Sequence, residues 1–279
     1  MKQFDEFTRI IEPTVCSTYF AGWHQLNVGA RPIDEQHEYL KARGLSKLRF
    51  SFDTLFGYSP RDLSFLKDYK NVEAVQIGGN FHDFEHIKNL SNLKSFSDNV
   101  SNRKGMCFDH LYTVEDLSVD YESAHPKYEK FANLQSFDAA RLPKRFADFS
   151  RFEFDGVKGI SIASSPIRSL SGIERFKKLD KMLLHACRSL EGNHLDEVCE
   201  NVLELRLQYC PKLSSVSFLN QFPNLTKLNL INCGSIASLE PILNLSKLER
   251  LFVENTRFEK GDILKLKGEM PNLRHLGVI

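Results

Sequence analysis

Neither sign of charge dominates this sequence: 37 Lys+Arg stand against 36 Asp+Glu, a net of +1. A balance this close exerts no general pull on nucleic acid or on an anionic membrane. No run approaches the roughly 18–20 apolar residues of a membrane span. The opening, MKQFDEFTRIIEP, carries Asp5 and Glu6 and no apolar stretch, so no secretory signal is expected. Cysteine is scarce, six in 279 residues. Without a secretory route these six are expected as free thiols in the cytoplasm, and the Asn224 and Asn244 glycosylation triplets carry no meaning. Also missing are G-x-S-x-G, a P-loop lysine motif and G-x-G-x-x-G, which removes the commonest serine-hydrolase and nucleotide-binding readings. No Gly/Ser- or Pro-rich linker divides the chain.

What the chain does have is a spacing that it restates. In Asn224 to Thr256, Leu225, Leu228, Leu230 and Cys233 stand at offsets 0, 3, 5 and 8, and Leu248, Leu251, Val253 and Thr256 repeat them 23 residues later. Extended both ways, the phrase starts at Leu45, Val72, Leu93, Val114, Leu134, Val157, Leu179, Val202, Leu225, Leu248 and Leu273. The steps run from 20 to 27 residues, and of 33 apolar positions only Asp98 fails. Chance at this composition gives about 14. A second apolar column lies three residues before the last ten starts: Tyr69, Leu90, Leu111, Phe131, Phe154, Phe176, Cys199, Phe222, Leu245 and Met270.

Offsets 3 and 5 read as a short strand with one face inward. The rest of each repeat must turn back and bury a second apolar edge, such as Ile236, Leu239 and Ile242. One repeat cannot close a core, so neighbours must stack. The phrase resembles the leucine-rich repeat family, L-x-x-L-x-L-x-x-N/C-x-L at a period of 20–29 residues. It is similar to the short, irregular repeats of bacterial intracellular members. That resemblance covers 45–279 and implies an α/β fold: a right-handed solenoid, or horseshoe, of about eleven repeats. A concave parallel β-sheet would face a convex side of short helices and 3₁₀ turns. At offset 8 the family carries Asn; here Asp53, Asn80, Ser101, Ser165, Cys187, Cys210, Cys233 and Thr256 occupy it, smaller groups that can still bond backbone as the chain leaves the strand. Cys187, Cys210 and Cys233, 23 apart, are expected to stack as a ladder; CxxC-type zinc spacing is absent.

Residues 1–44 precede the count and read as a capping segment. In RPIDEQHEYLKARG, Pro32 suits a first helical turn, Ile33, His37 and Leu40 share a face, and Gly44 can end the helix. With Val15, Tyr19, Phe20 and Trp23 it is expected to cover the first repeat within one continuous domain.

His82-Asp83-Phe84-Glu85-His86 matches H-x-x-E-H, a spacing that lets two histidines bind zinc with the glutamate as base. A metal-dependent hydrolase is the enzymatic alternative. However, the string falls in a short return segment whose apolar edge is Phe84, Ile87 and Leu90, which puts His82, Glu85 and His86 outward. Cys107 beside Asp109 and His110 gives no catalytic pair, because sequence neighbours rarely form one. Neither cofactor nor metal is expected.

By resemblance, the x residues at offsets 2, 4 and 6 point out of the concave sheet, and the function lies there. The site is expected at Asp116, Asp120, Tyr121, Asp138, Arg141, Lys181, His185, Arg206, Tyr209, Arg250 and Phe252, of which Tyr121, Arg141 and Tyr209 stand at offset 7. Tyr and Arg are the residues on which interfaces concentrate binding energy. The resemblance implies a non-enzymatic module that binds another protein as inhibitor, immunity or scaffold protein, with no nucleic acid or membrane partner. An adhesin-like surface protein is a further alternative, disfavoured by the missing signal. Leu273, Leu276 and Val278 complete a strand with no return segment after it, so a homodimer through that edge is an additional expectation.

If the thiols are free, all six cysteines of protein purified from its native cytosol react with a thiol reagent on unfolding without prior reduction. A disulfide in that material would contradict the expectation.

Overall fold

The computed structural model describes residues 8–10, 24–28, 47–50, 71–78, 85–99, 113–120, 131–152, 154, 156–192 and 195–279. The chain divides into two compact units, 1–138 and 139–279. Unit 1 holds β1 (Thr8–Ile10), β2 (His24–Val28), β3 (Lys47–Phe50), β4 (Ala74–Gly78), β5 (Ser95–Asn99) and β6 (Asp116–Asp120). The division falls inside β7 (Ser136–Ala140). Unit 2 holds β8 (Gly159–Ala163), β9 (Lys181–His185), β10 (Glu204–Gln208), β11 (Lys227–Ile231), β12 (Ser235–Ile236), β13 (Arg250–Glu254), β14 (Arg257–Phe258) and β15 (His275–Val278).

In unit 1, β1 and β2 are antiparallel and each strand from β2 to β6 pairs in parallel with the next. Leu26 lies opposite Leu48, and Trp23, Leu26 and Val28 have the φxxφxφ spacing, a phrase before the first one counted from sequence. Asp98 sits in register between Ile77 and Val119, so its backbone keeps the offset-5 place and the repeat has not slipped. The expected helix over 31–44 lies outside the described residues.

In unit 2, β8, β9, β10, β11, β13 and β15 form a parallel ladder in chain order, Leu205 facing Met182 on one side and Leu228 on the other. The inward positions are sealed. Val157, Leu179, Leu225 and Leu248 at offset 0, and Leu184, Leu207 and Leu230 at offset 5, are all wholly buried. The return segments are short: 3₁₀ turns at Ile173–Arg175, Ser217–Gln221 and Ile263–Lys265, and four-residue helices at Glu240–Leu243 and Leu266–Glu269. A repeat of about 23 residues leaves no room for a longer helix after its strand and turns. Phe154, Phe176, Phe222, Leu245 and Met270, the second apolar column, are buried behind the sheet. Phe146, Phe149 and Phe152 join them, with ring centroids 5.0–5.7 Å apart between neighbours.

Every described repeat of unit 2 leaves its strand in the same way. Arg141, Ser164, Ala186, Tyr209, Asn232 and Asn255, all at offset 7, have φ between 46° and 56°. This left-handed conformation costs a side-chain-bearing residue about 1–2 kcal/mol. In return each of these N–H groups donates to the carbonyl of the next rung's offset-6 residue, at 2.8–3.1 Å, and the reversal drives offset 8 inward. There Ser165 Oγ donates to Ala163 O at 2.7 Å and accepts from the Leu142 N–H at 3.0 Å. Thr256 Oγ1 likewise accepts from the Cys233 N–H at 3.0 Å.

The three cysteines of this column are buried and free. Their thiols donate long bonds of 3.5–4.0 Å to carbonyls of their own and the preceding rung. Backbone N–H groups of Ser165, Cys187 and Cys210 donate to the sulfurs of Cys187, Cys210 and Cys233 respectively. Burial outweighs these bonds, pushing Cys187 up to about 12 and Cys233 to about 11 from the usual 9.0, and raising Cys210 as well. Thiols held protonated this firmly are poor nucleophiles. Cys16 and Cys107 lie outside the described residues.

Leu228 is fully buried between Leu205 and Leu251, so Leu228→Ala should cost about 2–5 kcal/mol. Denaturant melts showing a loss below about 0.5 kcal/mol, the range of surface substitutions, would contradict that placement.

Candidate functional site

The strand side chains at offsets 2, 4 and 6 lie opposite the core face, and in unit 2 they make rows running across the strands. Lys181, Glu204, Lys227 and Arg250 form one row, Leu183, Arg206, Asn229 and Phe252 the next, and His185, Gln208, Ile231 and Glu254 the third. Tyr209, turned by its left-handed backbone, stands at the end of β10, 51% exposed. Its ring meets His185 edge to face at 5.2 Å between centroids. Phe252 lies against Gly277 of the adjoining strand. A Cβ there would come within 2.6 Å of the ring, so the glycine gives the phenyl group its seat.

Glu204 departs from what the sequence suggested. Its position was read as solvent-facing, yet it is only 7% exposed. Strands about 4.8 Å apart crowd the side chains of neighbouring rungs over it, and two of those neighbours are cations. The Arg206 Nε–H donates to Oε1 at 2.6 Å, and Lys227 Nζ lies 3.5 Å from Oε2. The carboxylate is thus committed to holding the long side chains of Arg206 and Lys227 in place. Lys181 and Arg250, both exposed, have no ion-pair partner among the described residues.

In unit 1 the acidic candidates stand at the same offsets of their own strands. Asp116 is 8% exposed rather than solvent-facing, with Ser95, itself buried, beside it in register. Asp120 and Asp138 are half-buried. Arg141, in unit 2, is exposed at the end of β7. Tyr121 lies outside the described residues. Among the candidates, the structure therefore brings Lys181, His185, Arg206, Tyr209, Arg250 and Phe252 together on one sheet face. Leu183 and Ile231, half-buried between them, complete that face and were passed over as candidates. The signal was available, because aliphatic side chains at offsets 4 and 6 stand where a merely solvated face would carry polar ones.

Of the H-x-x-E-H string, His82, Asp83 and Phe84 lie outside the described residues. Glu85 and His86 begin a 3₁₀ turn, Glu85–Asn89, that packs Ile87 and Leu90 inward. Among the described residues no three His, Cys, Asp or Glu side chains gather as metal ligands, and no helix is long and apolar enough to cross a membrane.

Compared with solved structures, the chain superposes on an internalin of Listeria monocytogenes at a TM-score of 0.51 and 14% identity, covering 78% of this chain and 72% of that one. A leucine-rich repeat protein of Leptospira interrogans aligns at 15% identity over 91% of this chain and 83% of that one, with a TM-score of 0.40. This is the leucine-rich repeat fold. At these identities the likeness concerns the fold alone. No protein-family model matches the sequence, and no curated protein does.

Glu204→Ala removes the only carboxylate that Arg206 and Lys227 share, and should cost about 1–3 kcal/mol, since hydrogen bonds to charged groups exceed neutral ones. Urea titration is the check. A loss near zero, as for exposed pairs, would mean that the two cations do not depend on it.

Proposed function

We propose that this leucine-rich repeat protein is a non-enzymatic binding module whose partner is another protein, held on the open side of the sheet. The carrying observation is the cluster of Tyr209, Phe252, Leu183 and Ile231 among basic side chains on the face of unit 2. Aromatic side chains gain large contact area for little lost freedom, and arginine adds planar hydrogen bonding; both are enriched at interface hot spots. Glu204 and Gly277 hold Arg206 and Phe252 in place beforehand, which lowers the ordering cost of binding. A module that works by occupying a surface acts by steric means, as inhibitor, immunity protein or scaffold. Balanced charge and the sequence reading of the cysteines support a cytoplasmic setting.

Affinity capture from the native cell tests this. A specific partner retained by the wild type should be lost with Tyr209→Ala/Phe252→Ala, while the variant keeps the melting transition. Undiminished capture would move the site off this face of unit 2.

A further inference from the structure

We infer that the face of unit 2 receives an extended acidic segment of the partner, its carboxylates on Lys181 and Arg250 and its apolar side chains on Leu183 and Phe252. The inference deepens the binding reading above and rests on it. Four fixed cations occupy the face, Lys181, Arg206, Lys227 and Arg250, against two carboxylates, Glu204 and Glu254. One of those carboxylates is buried and already neutralised by Arg206 and Lys227. The charge left to a ligand is therefore positive, and it is carried by the two exposed cations at the outer strands of the set. Covering Lys181 and Arg250 with an apolar or basic partner would strip their water with no compensation, which is unfavourable. An acidic partner supplies the missing counter-charges.

The geometry selects an extended chain. Lys181 on β9 and Arg250 on β13 are three strand spacings apart, on the order of 14 Å. That distance corresponds to roughly four or five extended residues. A segment with acids at its two ends spans both cations over Glu204 and Lys227, which lie between them in the same row, and its apolar side chains reach Leu183 and Phe252 in the row beside it. A nucleic acid fits less well. It presents a phosphate at every step, whereas the row His185, Gln208, Ile231 and Glu254 carries no fixed positive charge and ends in a carboxylate.

The test is selection of random dodecapeptides displayed on phage against the full-length protein. Enriched peptides should combine Asp or Glu with Leu, Ile or Phe. Their synthetic forms should bind about tenfold more weakly to Lys181→Glu/Arg250→Glu, and more weakly at high salt. If that variant fails to fold, Lys181→Gln/Arg250→Gln replaces it with the same expected direction. Peptides without acidic bias that still lose binding on Tyr209→Ala/Phe252→Ala overturn the acidic segment and leave the binding face standing. Peptides indifferent to all four positions overturn both readings, and a selection yielding none overturns the extended segment. Fluorescent oligo-dT bound through Lys181 and Arg250 would make the occupant a nucleic acid. A concentration-dependent dimer abolished by the charge reversal would make it a second copy.

Discussion

Each repeat has to leave its strand within two residues without orphaning a backbone group, and the rest of unit 2 follows from how that is done. The offset-7 residue takes a left-handed backbone, which points its N–H at the next rung and turns the following side chain inward. The conformational cost is about 1–2 kcal/mol at a residue such as Tyr209. An amide left unpaired in the interior would cost a comparable or larger amount. The bond of 2.8–3.1 Å to the next rung therefore offsets the strain, but only while that rung is in place. Cooperation between neighbours is built into the main chain before any side chain is considered.

The offset-8 column shows what that constraint allows. Hydroxyls at Ser165 and Thr256 reach their partners at 2.7–3.4 Å. The three intervening thiols reach carbonyls only at 3.5–4.0 Å. Sulfur is larger and a weaker donor, so the cysteines contribute more by filling buried volume than by bonding. From Ser165 to Thr256 the column thus accommodates Ser, Cys and Thr alike.

Most of the fold was legible because its signal is periodic: leucine spacing alone placed every described strand of the parallel ladder from β3 onward, though not the two-residue strands β12 and β14. β2 escaped because its phrase, Trp23, Leu26 and Val28, begins with a tryptophan inside a stretch read as a cap. The packing of Phe146, Phe149 and Phe152 escaped because these residues lie between the repeat phrases, outside both counted columns. The left-handed turns were invisible for a plainer reason. Glycine and asparagine normally announce such a backbone, but Arg141, Ser164, Ala186 and Tyr209 do not. At the candidate site the offsets point Arg206 and Phe252 away from the core, as they lie in the structure, with Tyr209 exposed at the end of its strand. The burial of Asp116 and Glu204 was not legible, because a one-dimensional pattern says which way a residue points, not what leans over it.

That distinction bears on how such a surface acquires specificity. The inward leucines are fixed by the repeat, so they carry no information about a partner. The outward rows are free to vary, yet they vary within a frame whose strand spacing of about 4.8 Å is set by backbone hydrogen bonds. A buried acid such as Glu204 then does more than neutralise charge. By binding one cation from its own strand and one from the next, it converts two flexible side chains into a fixed array. Gly277 does the same for Phe252 by leaving room for the ring. Residues with little exposure of their own thus determine the shape that the exposed ones present. A change of partner would be reached as readily by replacing Glu204 or Gly277 beneath the surface as by replacing Tyr209 upon it.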